Sequence, residues 1–142
     1  MINFPEPDDK RCLQLLEASR PYLESLSNEM KIDFVQADYF SKIVVPLSVY
    51  LLNLPEREKP YFIGLNGGQG SGKTTLSDFV QVVLSDVSNK SVTGFSIDDI
   101  YKTREEREKQ SKEIHPLCKV RGVPGTHDIQ MGLGVLDRLC SA

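Results

Sequence analysis

The chain is poor in cysteine. It has three, Cys12, Cys118 and Cys140, spread over 142 residues. Their spacing matches neither a zinc site nor a CxxC redox motif. A scattered odd number argues against a disulfide framework and fits a reducing compartment. No long run of lysine and arginine occurs, and the formal net charge is −3. That balance argues against nucleic acid or an anionic membrane as the main partner. Long apolar runs are missing too. The longest, Ile43 to Leu54, is interrupted by Pro46, Ser48 and Asn53, and is too short to cross a bilayer. The acidic, proline-containing start, Met1 to Lys10, is neither a signal peptide nor an arginine-rich transit peptide. Internal repeats and low-complexity segments are absent. These absences leave a soluble cytoplasmic protein as the expectation, of a size that forms one domain with a real core.

What is present divides into two regions. Residues 1–58 have a helical pattern and read as an N-terminal helical extension. Asp8 or Asp9 is placed to cap a helix carrying Leu13, Leu16, Leu23 and Leu26 at helical spacing. Pro21 is expected to break or restart it. A second helix is expected from about Phe34 to Leu52, kinked at Pro46, and Pro55 to Pro60 forms a charged linker.

Residues 59–142 change character. Tyr61-Phe62-Ile63-Gly64-Leu65 reads as a short buried strand, Gly67 to Gly72 as a loop, and Lys73 to about Ser85 as a helix. Leu76, Phe79, Val80, Val83 and Leu84 make the apolar face of that helix. Ser91 to Ile97 reads as a second strand. Strand, helix, strand is the signature of an α/β fold with a parallel sheet. Beyond it, Thr103 with Glu106 forms a capping box for a wholly polar helix to about Glu113. Glu105 with Lys109, and Glu108 with Lys112, are its expected i,i+4 pairs, and the run reads as a solvated face. A Pro- and Gly-rich ordered loop spans His115 to Thr126, and a last helix runs from about Asp128 to Leu139.

Gly67-Gly68-Gln69-Gly70-Ser71-Gly72-Lys73-Thr74 satisfies G-x-x-x-x-G-K-S/T, between an expected strand and an expected helix. Glycines let a backbone curl until successive N–H groups point inward at phosphate oxygens. The helix start adds its dipole and its unpaired N–H groups. Lys73 supplies a point charge for the β- and γ-phosphates, and the Thr74 hydroxyl is placed to ligate Mg²⁺. Thr75 either touches the α-phosphate or continues the helix.

Two further segments carry polar groups. Ser96-Ile97-Asp98-Asp99-Ile100-Tyr101 closes the second expected strand, where ligands of open α/β sheets bind. A carboxylate there can orient an acceptor hydroxyl and take its proton, or hold Mg²⁺. Capping and chemistry are both open to Asp99. The other segment, His115-Pro116-Leu117 followed by Arg121-Gly122-Val123-Pro124-Gly125-Thr126-His127-Asp128, concentrates polar side chains in a rigid loop. Arg121 suits a carboxylate or phosphate. His127 and Asp128 suit substrate hydroxyls. Asp128 or Thr126 also suits a helix N-cap, and His115 a loop carbonyl.

Taken together, these three segments resemble D-glycerate 3-kinase and its P-loop kinase relatives, among them phosphoribulokinase, uridine kinase and bacterial pantothenate kinase. The resemblance runs from about Lys59 to Leu139, and the helical extension is also similar to that of glycerate kinases. It implies a three-layer P-loop fold and ATP- and Mg²⁺-dependent phosphorylation of a small hydroxy compound, D-glycerate first. It implies Asp98 as base, with Ile100 and Tyr101 behind it. Arg121 to Asp128 then forms the acceptor-binding segment, with Arg121 on the glycerate carboxylate. Such kinases are longer and have a later acidic strand between these two, an arginine-bearing lid and an adenine loop. The resemblance therefore implies the N-terminal part of a longer kinase with an incomplete sheet. Alternatives are a uridine- or pantothenate-type kinase and a non-catalytic nucleotide-binding module. No switch loop points to a regulatory NTPase, and oligomeric state is not legible.

Overall fold

The computed structural model describes residues 4–32 and 37–141. These residues form two compact units. One contains residues up to Arg57 together with Phe62–Gly94; the other contains Glu58–Tyr61 and the residues from Phe95 onward.

The first unit is helical. Helix α1 spans Lys10–Glu29, and Asp9 caps it by accepting the Arg11 N–H at 2.8 Å. Pro21 lies inside α1 and does not interrupt it. The expected break fails because Pro21 and Glu17, whose carbonyl loses its partner, are both exposed, so water can take the lost bond. The buried face of α1 carries Cys12, Ser19, Leu23 and Ser27, whereas Leu13 is exposed. Ser19 satisfies its hydroxyl by donating to the Leu15 carbonyl at 2.6 Å.

The second helical stretch starts with α2, Ala37–Tyr39, widens into a π-turn at Phe40–Val44 and continues as α3, Val45–Leu52. Its expected first residues, 34–36, lie outside the described residues. The Val45 N–H reaches back to the Phe40 carbonyl, and buried Pro46 follows at once. A proline has no N–H to give and crowds the carbonyl four residues back. The ladder slips by one residue there, so the expected kink takes the form of a π-turn.

Helix α4, Lys73–Val82, runs into a second π-turn at Val83–Val87. Its expected apolar face is the buried one. Phe79, Val80, Val83 and Leu84 join Leu23, Phe40 and Val44 in the core of this unit. Phe40 and Phe79 meet edge to face, with ring centroids 5.1 Å apart. A smaller cluster, Cys12, Val45 and Val49, packs beside α1. Burial pushes the Cys12 thiol above its ordinary pKa, with the charge of Asp9 adding to the effect.

The expected α/β fold with a parallel sheet is not what the chain forms. Among the described residues there is no strand and no sheet. Residues 61–66 and 91–96 are irregular, and Phe62, Ile63 and Leu65 are 51%, 58% and 45% exposed. Both runs have strand composition, but a strand exists only through a ladder with a neighbour. Composition cannot supply that partner. Pairing among the described residues is confined to an isolated antiparallel bridge, Tyr101 with His127.

The second unit is built from short pieces. A 3₁₀ turn at Ile97–Ile100 leads to α5, Arg104–Glu113, a 3₁₀ turn at Pro116–Lys119, and α6, Ile129–Ser141. The Thr103 capping box forms as expected: Glu106 N–H donates to Thr103 Oγ1, and Thr103 N–H to Glu106 Oε2. The i,i+4 pairs along α5 are Arg104–Glu108 and Lys109–Glu113. At Gly132, α6 passes close to the first 3₁₀ turn; a Cβ there would lie 3.1 Å from Ile100 Cδ1. No helix is long and apolar enough to cross a membrane, among the described residues.

Candidate functional site

In the first unit, Gly67–Gly72 leads straight into α4. Ser71 N–H donates to the Gly68 carbonyl at 3.2 Å, which closes a turn. Gly70 and Gly72 have φ of 75° and 79°, in the left-handed region that side chains disfavour. Gly72 is also the N-cap of α4, and no side chain caps the helix. The first N–H groups of α4 are therefore left to whatever approaches the loop, and an anion meets that need. Gly67, Gly68, Gln69, Gly70, Ser71, Gly72 and Thr74 are exposed, while Lys73 and Thr75 are half-buried.

Lys73 bends back over this loop. Its Nζ donates to the Gly67 carbonyl at 2.9 Å and to the Gly68 carbonyl at 2.8 Å. Two carbonyl dipoles thus hold one ammonium beside an uncapped helix start. The arrangement suits a polyphosphate, and the exposed Thr74 hydroxyl on the first turn suits an oxygen-seeking cation such as Mg²⁺.

The second unit holds the other expected residues. Ser96 caps the 3₁₀ turn by accepting the Asp98 N–H at 3.1 Å, and Asp99 Oδ2 accepts the Ser96 N–H at 2.7 Å. Asp99 thus serves as a cap, and Asp98 presents an exposed carboxylate. Past this turn the chain pairs with the second polar loop. Asp128 N–H donates to the Ile100 carbonyl at 2.7 Å, and Lys102 N–H to the Thr126 carbonyl at 2.9 Å. This pairing stacks Tyr101 on His127, with centroids 4.0 Å apart and planes 25° apart. Arg121 lies over Tyr101, its Cζ 5.3 Å from the ring centroid, in a cation–π contact.

Tyr101, Arg121 and His127 therefore come together. Asp128 accepts the Met131 N–H at 2.9 Å and caps α6. Thr126 is fully buried, and its hydroxyl donates to the Val123 carbonyl at 2.6 Å. His115 Nδ1 accepts the Leu117 N–H at 3.2 Å, which fixes the second 3₁₀ turn. Among the described residues, His127 Nε2 and Gln110 Oε1 are buried without a hydrogen-bond partner. A buried polar atom left without a partner costs about 1–3 kcal/mol.

Sequence reasoning missed two residues. Arg107 Nε donates to the Lys102 carbonyl at 3.1 Å, and its Nη1 to the Lys119 carbonyl at 2.7 Å. Gln110 Nε2 donates to the Gly125 carbonyl at 3.4 Å. Both sit on α5, which reads from sequence as a solvated face. Their acceptors are main-chain carbonyls, which leave no mark in a sequence. Spacing by three, which places both on one helix face, is the available signal.

The chain is similar to known kinases. It is 38% identical over 98 residues to the protein named Uncharacterized kinase mug58 of Schizosaccharomyces pombe, a match covering 67% of this chain and 35% of the relative. It is 33% identical over 110 residues to the Probable ATP-dependent kinase TDA10 of Saccharomyces cerevisiae, covering 70% and 38%. Against the chloroplastic D-glycerate 3-kinase of Arabidopsis thaliana, identity is 34% over 82 residues, covering 56% and 18%. The chain thus spans little more than a third of the first two relatives. No family model matches it. No solved structure matches it. The resemblance to D-glycerate 3-kinase-like kinases is borne out by these relatives.

Proposed function

We propose that this chain serves ATP-dependent phosphoryl transfer to the hydroxyl of a small molecule in the cytoplasm, with D-glycerate as the preferred acceptor. The observation that carries this reading is the likeness to three kinases, one of them a D-glycerate 3-kinase. The loop geometry supports it from the side of the phosphate donor.

Gly67 to Thr74 binds the triphosphate, with main-chain N–H groups and the Lys73 ammonium as donors. Thr75, half-buried on the first turn of α4, would contact the α-phosphate. Thr74 holds Mg²⁺, which when bound draws charge from the phosphate oxygens. For the acceptor, Arg121 takes the carboxylate in a bidentate pair. Tyr101 and His127 flank it, and Asp99 and Asp128 hold their loops in place while lining it. Asp98 accepts the proton of the attacking hydroxyl. The bond from the γ-phosphorus to its bridging oxygen breaks, a bond to the acceptor oxygen forms, and ADP leaves with the electron pair.

The test is ADP release in a coupled assay, with Mg²⁺ and a panel of D-glycerate, uridine and pantothenate. D-glycerate-dependent release, lost in Asp98→Asn with nucleotide binding intact, is the expected result. Release with another acceptor reassigns the substrate. Nucleotide-dependent stabilisation without turnover on any acceptor sinks catalysis and leaves a binding module.

A further inference from the structure

Helix α5 holds the backbone at three places, each within two residues of a member of the Tyr101–His127–Arg121 stack. Arg107 holds the carbonyl of Lys102, which follows Tyr101, and the carbonyl of Lys119, two residues before Arg121. Gln110 holds the carbonyl of Gly125, two residues before His127. The helix that carries both is fixed by the Thr103–Glu106 capping box at one end. At the other, the Gln110 carbonyl accepts the N–H groups of Ile114 at 2.8 Å and His115 at 3.3 Å.

From this we infer that Arg107, with Gln110 beside it, is the positioning residue of the stack: one guanidinium spans two loops and sets the distance between Tyr101 and Arg121. The planar fork is suited to the task. Its donors diverge at fixed angles, so one side chain reaches two carbonyls that belong to different segments. Both bonds are charge-assisted, and one is short at 2.7 Å. Among the described residues the contact that holds Arg121 is its cation–π contact with Tyr101, which fixes a distance and leaves rotation over the ring face. Aim therefore comes from the backbone, and the backbone is held from α5. The bonds of Arg107 go to main-chain carbonyls, so its role is exerted through the loops.

The acceptor arm of the inference rests on the proposed kinase reading; the stacking arm does not. Proton NMR of the full chain separates them. The chain has two histidines, His115 and His127. His127, stacked on Tyr101, gives a C2–H resonance shifted upfield by the ring current, and His115 is the internal reference. Arg107→Met keeps the stem and removes every donor. Its expected result is movement of the His127 resonance toward that of His115, with helical circular dichroism retained. Arg107→Lys keeps the charge and one donor group, and is expected to hold an intermediate shift. Arg104→Met, which removes only the pairing with Glu108, is expected to leave the resonance in place.

An unmoved His127 resonance in Arg107→Met overturns the inference. So does an unmoved resonance in Arg107→Lys if the methionine variant does not fold. Loss of helix in both variants also overturns it, because Arg107 is then a folding residue. An equal shift in Arg104→Met overturns it as well. With D-glycerate turnover in the native chain, Arg107→Met is expected to raise the acceptor KM on the order of 10²-fold, the scale of a 1 Å misplacement, and to leave the KM for ATP unchanged. Absence of turnover in the native chain counts against the kinase reading and leaves the His127 signal to decide on Arg107.

Discussion

Alanine substitutions within the glycine loop should separate sharply by position. A Cβ at Gly68, Gly70 or Gly72 would meet nothing within 4 Å. Steric contact therefore contributes nothing to the difference between them. The backbone does: Gly70 and Gly72 have φ of 75° and 79°. Holding alanine in the left-handed region costs about 1–2 kcal/mol. At Gly68 no such cost applies, and alanine instead reduces the freedom of the unfolded chain, worth about 0.4–1 kcal/mol of added stability. Gly72→Ala should thus fall below Gly68→Ala by roughly 1.5–3 kcal/mol. The assay is urea unfolding followed by far-ultraviolet circular dichroism, since the unit is helical. If the altered loop relaxes, the cost leaves the stability and reappears in triphosphate binding, weakening it by about 5–30-fold at 1.4 kcal/mol per tenfold. Calorimetric titration with ATP reads that share. Coincidence of the two variants in both midpoint and affinity would refute the loop geometry as the source of binding.

Lys73→Met removes the ammonium that spans the Gly67 and Gly68 carbonyls. Triphosphate affinity should drop on the order of 10- to 100-fold, from about 1.5–3 kcal/mol for a charged hydrogen bond, as read by calorimetry. The Glu106 carboxylate lies below the usual value of 4.5, chiefly because the Thr103 hydroxyl and N–H donate to it. A lowered folded pKa stabilises fully above the unfolded value and less as pH falls through the folded one. Helicity of α5 should therefore decline below about pH 4.5, and Glu106→Gln should flatten that decline in a circular dichroism titration. Phe79→Ala empties the centre of the first core, where Phe79 is fully buried against Phe40 and Tyr39. It should cost about 3–5 kcal/mol in the same urea experiment, and a loss under 1 kcal/mol would mean that the site collapses or is not packed as described.

Helices were legible where their causes are local. The Asp9 cap, the Thr103–Glu106 box and the apolar face from Leu76 to Leu84 each lie within a turn or two of the residues they organise. Strands were misread for the converse reason. Phe62-Ile63 and Ser91-Val92 have the right side chains, but pairing needs a partner from elsewhere in a chain, and none forms among the described residues. Pro21 misled because its effect depends on which face of α1 it occupies, a tertiary fact. At the site, the glycine loop stood out by residue type and spacing; Tyr101 came only from the family resemblance, and Arg121 and His127 were polar members of one loop with bland alternatives beside them. That these three would stack followed from none of this, because a single bridge between Tyr101 and His127 decides it. Arg107 stayed hidden since arginine on a polar helix looks the same whether it faces water or a carbonyl.

The three thiols differ in their access to solvent. Cys12 and Cys118 are enclosed, and Cys140, on the last turn of α6, is open. A maleimide dye added to the native chain should attach at that one point, with no cysteine-free variant needed first. A label there lies in the second unit, the one that holds the stacked rings, and gives a signal with which binding at those rings can be followed.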